Sequence, residues 1–243
     1  MAGWVLDPGY ESLSAEFGSL RAVFELSGER VTNDAISEVI RVERGGVIYY
    51  VKRYRGSKGL RRYIGRPRVK AEWQNLKRFK RWGIPTAPIV AYGLERQRGG
   101  FSRGAVITRE LSRTEDLAAL ANRHDGRLDD AGWVRQISTQ LAAATRCMHA
   151  KGFAHNDLKW RNLLVDTQMN LYVIDCPTGA FWWGPFLERR IVKDLACLDK
   201  VAKYQLSQTQ RLRFYLQYVE RRRLSRSDKG RIRQVLAYFE GRE

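Results

Sequence analysis

The sequence predicts an α+β protein in which a β-rich first part is followed by a mainly helical second part. Three observations predict it. Apolar residues alternate in short runs over residues 21–54, strand-like runs recur over 89–94 and 105–111, and from Trp133 the apolar spacing changes to that of helices. Strands first and helices afterwards is the order of an α+β chain rather than of repeated βαβ units.

In chain order, Val23, Phe24 and Leu26 read as a first strand, Val39, Ile40 and Val42 as a second, and Val47 to Val51 as a third beyond a Gly45-Gly46 turn, with Lys52 ending the meander. A helix follows from about Val69 to Trp82. Val69, Trp73, Leu76 and Lys80 share one line, Phe79 lies beside it, Glu72 is in the first turn and Gly83 is the stop. Ile89 to Leu94 and Ala105 to Leu111 read as strands joined by a turn at Gly99-Gly100. The junction between the parts is expected near Thr108 to Ser112, giving lobes of 1–110 and 111–243. In the second lobe Ile137, Leu141, Ala144 and Met148 recur at helical spacing after Asp129 and Asp130 as candidate caps. Asn162 to Val165 and Leu171 to Ile174 read as a short hairpin, and the chain from Leu187 onward is helical in composition.

With 243 residues, 44% of them hydrophobic, the chain can bury the core of one large domain or of two lobes, which excludes wholesale disorder. Lys and Arg exceed Asp and Glu by 44 to 26, a net +18 that favours polyanionic partners or an anionic membrane surface. Lys52 to Lys70 alone holds nine basic residues and no acidic one, and Arg211 to Arg233 holds nine against Glu220 and Asp228. Three widely spaced cysteines fit neither a disulfide framework nor a zinc site and suit a reducing cytoplasm. No apolar run approaches the ~20 residues needed to cross a bilayer. The first twenty residues carry Asp7, Glu11 and Glu16 and show no signal-peptide pattern, so membrane contact is expected to be peripheral.

The chemistry is carried by His155-Asn156-Asp157-Leu158-Lys159-Trp160-Arg161-Asn162, of the form His-x-Asp-Leu-x-x-x-Asn, with Asp175 following at the end of an apolar strand. Phosphoryl transfer needs a carboxylate to orient and deprotonate the acceptor hydroxyl, and oxygen ligands for Mg²⁺ ions that bridge phosphates. Asp157 suits the first need; Asn162 and Asp175 suit the second. Here the chain resembles the protein-kinase superfamily. That resemblance implies a two-lobed protein-kinase-like fold with an ATP cleft between the lobes, and it extends to Lys52 on a strand and Glu72 on the following helix. Alone, either would be an ordinary surface charge. Together they match the lysine that holds the α- and β-phosphates and the glutamate that holds the lysine.

The resemblance further implies that Lys159 supports catalysis at the transferring phosphate. It places Ile107, Glu110 and Leu111 at an interlobe hinge whose backbone receives the adenine, and it makes His155 and Asp194 braces of the catalytic loop. The chain also departs from the protein-kinase pattern. Asp175-Cys176-Pro177 stands for Asp-Phe-Gly, no glycine-rich loop precedes Ser37 where Ser27-Gly28 and Asn33-Asp34 stand, and the segment between Asp175 and Asp194 is too short for a peptide-docking activation loop.

Among compact kinase relatives, the motif at 155–162, Ile174-Asp175-Cys176-Pro177, the run Phe181-Trp182-Trp183-Gly184-Pro185-Phe186 and Lys193-Asp194-Leu195-Ala196 resemble the lipopolysaccharide kinase (Kdo/WaaP, InaA-like) family. The likeness implies transfer from ATP, with Mg²⁺, to a heptose or Kdo hydroxyl of the lipopolysaccharide inner core or another anionic glycolipid. It implies a cytoplasmic enzyme peripheral on the inner face of the bacterial inner membrane, with no specific nucleic-acid partner. Arg53, Arg55, Lys58, Arg61 and Arg62 are then candidates to hold acceptor carboxylates and phosphates. The aromatic run either packs beneath the shortened loop or leans on lipid or a sugar face. A compact protein Ser/Thr kinase of the RIO or Bud32 type and a catalytically silent kinase-like binding module are the competing readings.

Overall fold

The computed structural model describes residues 3–33, 36–56, 59 and 63–241; Lys58, Arg61 and Arg62, and Asp34 of the expected nucleotide-covering turn, lie outside these. The chain is α+β and forms two units, Met1–Arg81 with Thr86–Leu111, and Trp82–Pro85 with Ser112–Glu243. Residues 82–85 group with the second unit for a local reason. Val173 N donates to Pro85 O at 2.9 Å, and the Trp82 ring meets Phe153 edge-on at 5.4 Å.

The first unit runs β1 (Val5–Leu6), α1 (Ser14–Phe17), α2 (Leu20–Glu25), β2 (Glu29–Asn33), β3 (Ser37–Arg44), β4 (Val47–Arg55), α3 (Arg68–Arg81), β5 (Ile89–Gln97) and β6 (Gly100–Arg109). Its antiparallel sheet has the order β1-β5-β6-β4-β3-β2. Val23 and Phe24, expected in a strand, lie in α2. Ser19 caps that helix by accepting from Ala22 N, and Leu20 and Val23, three residues apart, turn one face into the core.

Strand parity then distributes β4 between two layers, because alternate side chains leave opposite faces of a sheet. Tyr49 and Val51 join Phe17, Leu20 and Val23 on one face, whereas Tyr54 joins Val69 and Trp73 of α3 on the other. A Cβ on Gly104 would lie 2.9 Å from Val69 Cγ1, so the lack of a side chain there lets α3 approach β6 closely.

The second unit contains β7 (Thr114–Asp116), α4 (Leu117–Asn122), α5 (Ala131–Ala150), β8 (Phe153–Ala154), β9 (Leu163–Asp166), β10 (Leu171–Val173), β11 (Ala180–Phe181), α6 (Gly184–Gln205), α7 (Gln208–Val219) and α8 (Arg226–Ala237). Asp130 caps α5 by accepting from Gly132 N and Trp133 N. β7, β9 and β10 form one small sheet, and β8 with β11 a second. Ala142 of α5, Ile191 and Leu195 of α6, and Tyr215 and Tyr218 of α7 make the helical core.

All three cysteines are free, with Cys176 and Cys197 buried and Cys147 half-buried. Burial raises the Cys197 thiol to about 11, which leaves almost no thiolate at pH 8. A thiol reagent at pH 8 is therefore expected to titrate Cys147 alone in the native protein and all three residues in denaturant. Rapid native labelling of Cys197 would contradict this packing.

Candidate active site

In the first unit, the side of β4 that carries Tyr54 also carries Lys52, two residues earlier. Lys52 Nζ lies 3.3 Å from Glu72 Oε2, with both side chains largely shielded. Tyr54 OH donates a short hydrogen bond to the same carboxylate oxygen. Glu72 is thus held between an ammonium and a phenol, which fixes the carboxylate and with it the direction of the lysine head. No motif points to Tyr54; the signal for it is its position two residues from Lys52, on the same face of the strand.

Arg53 points the other way. Its parity is that of Tyr49 and Val51, so it is buried; Nε donates to Val23 O at 2.9 Å and a second nitrogen to Leu26 O at 2.5 Å. Burial lowers its pKa, with Glu38 at 3.4 Å opposing that shift. Arg53 therefore caps the C-terminal carbonyls of α2 and is no substrate-facing cation, a correction to its expected role. Arg55, two residues on, is exposed.

Ile107 also needs correction as a nucleotide-binding residue. It is fully buried in the core beside Val51, on a strand paired on one side with Val51 and on the other with Ala91, so side chain and main chain are both committed to the fold. Glu110 and Leu111 lie just beyond that strand. Glu110 N donates to Ile48 O at 2.9 Å, and its side chain accepts from Tyr50 OH at 3.0 Å.

In the second unit, the loop from His155 to Asn162 is organised by one carboxylate. Asp194 is fully buried; Oδ2 accepts from His155 N at 2.7 Å and Oδ1 from Asn156 N at 2.8 Å. His149 Nε2 approaches Oδ2 at 3.3 Å, and its Nδ1 lies 2.8 Å from Tyr218 OH, so α5, α6 and α7 converge on this point. Asn156 takes φ +66°, a left-handed conformation that asparagine tolerates, and its Nδ2 donates to Thr178 O at 2.9 Å. His149, Asn156, Thr178 and Tyr218 had no readable spacing signal. His155 is fully buried; desolvation lowers its pKa, while Asp194, Asp175 and Asp157 pull the other way.

Past that brace, Asp157 is partly exposed and its Oδ1 lies 2.6 Å from Lys159 Nζ. A turn through Trp160–Asn162 returns the chain, and Asn162 Nδ2 donates to Asp157 O at 2.9 Å. The donor end of that amide is thereby committed, leaving Oδ1 as the atom suited to a cation. Ile174 N donates to Asn162 O at 3.0 Å, so Asp175 is the residue directly after one bonded to Asn162. Asp175 turns at φ +54°, which takes it out of the line of β10.

These donors fit Mg²⁺. They are hard oxygens, and among the described residues no cluster of three or more His, Cys, Asp or Glu forms a complete metal cage. Mg²⁺ is commonly held by one or two protein oxygens, with phosphates and water completing its octahedron.

Residues 17–218 match the family model described as the lipopolysaccharide kinase (Kdo/WaaP) family. A 3-deoxy-D-manno-octulosonic acid kinase of Vibrio vulnificus is 27% identical over 106 residues, 43% of this chain and 41% of that protein. The match thus spans less than half the length of that curated relative. A cyclin-dependent kinase 1 of Encephalitozoon cuniculi is 40% identical over 55 residues, 23% of this chain and 19% of that protein. A solved structure described as WaaP in complex with acyl carrier protein superposes with a TM-score of 0.78 at 25% identity, covering 98% of each chain.

Proposed function

The chain belongs to the lipopolysaccharide kinase (Kdo/WaaP) family, and from that membership we propose that it transfers the γ-phosphate of ATP to a sugar hydroxyl, heptose or Kdo, of the lipopolysaccharide inner core. The observation that carries this reading is the braced loop: Asp194 fixes two consecutive backbone N–H groups, and Asn162 is tied to the carbonyl of Asp157.

Asp157 orients the acceptor hydroxyl and takes its proton as the acceptor oxygen bonds to phosphorus, while the β–γ bridging oxygen leaves with ADP. Lys159, 2.6 Å from that carboxylate, steadies it and offers positive charge to the transferring group. Lys52, oriented by Glu72, holds the α- and β-phosphates, and Glu110 with Leu111 borders the adenine. Asn162 Oδ1 and the Asp175 carboxylate would hold Mg²⁺, which when bound neutralises phosphate charge. Arg55, with Lys58, Arg61 and Arg62 beyond the described residues, is available to acidic groups of the acceptor.

The place of action in this proposal is the cytoplasmic face of the bacterial inner membrane, where ATP and a glycolipid acceptor meet. Among the described residues no helix is long and apolar enough to cross a membrane. The helical unit also carries a half-open pocket of about 440 Å³ lined by Leu117, Trp133, Ile137, Leu141, Leu198 and Val235 among others. Its apolar walls suit a hydrocarbon chain, so an acyl carrier protein, the partner in the solved relative, is a partner to test here.

Lys52→Met is expected to lower kcat/KM for ATP by roughly 10² to 10³, the usual loss for one positioned charge donor at a reacting phosphate or oxyanion. Steady-state kinetics with varied ATP reads this, and a loss below threefold would remove Lys52 from the site. The acceptor is identified by ³¹P–¹H correlation of the product. A phosphomonoester coupled to a heptose or Kdo proton supports the proposal, and phosphate found on serine or threonine of added protein refutes it.

A further inference from the structure

Single exposed apolar residues are ordinary on a protein surface, whereas several close together call for a partner. Three large ones stand within six residues at the start of α6: Phe181 is 47% exposed, Phe186 62% and Trp183 74%. The structure divides the aromatic run that the sequence left open. Phe181 rests edge-on against Phe153 at 5.3 Å and Trp82 at 6.2 Å, so it is the base of the feature. Trp183 and Phe186 are more exposed than this base.

The base is not a loose loop. Phe181 pairs with Phe153 in the β8–β11 ladder, Trp182 N donates to Gly152 O at 2.8 Å, and Gly184 at φ +52° with Pro185 opens the helix. Positive charge stands one turn further on. Arg190 lies over the Trp182 ring at 4.4 Å and Arg189 is exposed, while Glu188, the acidic neighbour, is paired with Arg231 at 2.8 Å. An aromatic step backed by arginines, in a chain of net charge +18, is complementary to the headgroup region of an anionic bilayer.

We propose that Trp183 and Phe186, with Arg189 and Arg190 behind them, seat the helical unit on an anionic lipid surface beside the catalytic loop. The proposal rests on the kinase reading for its purpose, since β8 leads within three residues from Ala154 to Asp157, so the ladder that carries the aromatic step also starts the catalytic loop. An acceptor sugar anchored in the same bilayer would be presented to Asp157 without leaving the membrane.

The test is co-sedimentation of the full chain, without ATP, with phosphatidylethanolamine–phosphatidylglycerol vesicles and with phosphatidylcholine vesicles. Wild type is expected to partition onto the anionic vesicles, with a blue shift of tryptophan emission. The W183S/F186S double variant should partition on the order of tenfold less. R189Q/R190Q should lose roughly fivefold per arginine at low salt and show a flatter salt dependence. W183F/F186W should retain binding, and unchanged thermal unfolding of W183S/F186S would show that the loss is not one of folding. Equal partitioning of W183S/F186S and wild type overturns the proposal, as does wild type that ignores anionic vesicles and engages an acyl carrier protein or free sugar through Trp183. A protein that seats on vesicles through Trp183 but transfers no phosphate would instead sink the kinase reading and leave the lipid contact standing.

Discussion

Asp157→Ala is expected to lower kcat by about 10² to 10⁴, the usual cost of removing a positioned general base, with little change in KM for ATP. The split follows from the structure. The carboxylate touches Lys159, whereas the Asp157 main chain is what Asn162 holds, so truncating the side chain removes the proposed proton acceptor and leaves the loop geometry in place. Lys159 loses its partner, but it is nearly half exposed and water can solvate it. Steady-state kinetics with varied ATP and varied acceptor reads both constants. Turnover within threefold of wild type would remove Asp157 from the chemistry.

The second large effect is on stability. Asp194→Ala is expected to destabilise the helical unit by roughly 3 to 5 kcal/mol, because it leaves the N–H groups of His155 and Asn156 buried without their acceptor, at about 1–3 kcal/mol each, and strands His149 as well. For a domain of this size that corresponds to a fall in Tm on the order of 10 °C. Asp194→Asn should recover only part of it, since an amide offers one acceptor where the carboxylate uses two. Differential scanning calorimetry of both variants decides the matter. A shift below about 2 °C for Asp194→Ala would mean that the loop holds itself without this brace.

The two predictions differ in how far they could be read from the sequence. The loop from His155 to Asn162, the proposed catalytic loop, was legible because its residues are close in the chain and fixed in spacing and form one local turn system. The meeting of Lys52 with Glu72 was legible through likeness to kinases, in type, order and separation, although Lys52 lies inside β4 rather than at its end. Asp194 was legible only through likeness, since an aspartate within a helix carries no local signal of the two N–H groups it will meet 38 and 39 residues away.

The misreadings have physical causes. Arg53 lies in a basic run of the sequence, but charge density says nothing about strand parity, and parity sends Lys52 to α3 and Arg53 to α2. Val23 and Phe24 form too short an apolar run for periodicity to separate strand from helix, and the deciding signal was Ser19, a cap four residues upstream of Val23. Ile107 was placed by analogy at the edge of a nucleotide site, whereas a central strand leaves no main-chain group for a ligand at that point. The aromatic run could not be divided in advance, because sequence alone does not say that Phe181 supports what Trp183 and Phe186 expose.

The most direct test of the central claim is transfer of the γ-phosphate of labelled ATP by the purified protein in the presence of Mg²⁺, with dephosphorylated lipopolysaccharide core and a protein mixture offered in parallel and Asp175→Ala as the blank. The expected result is label in the lipopolysaccharide that disappears with Asp175→Ala and on chelation of the metal. Label confined to protein, or no transfer to either acceptor, would contradict it.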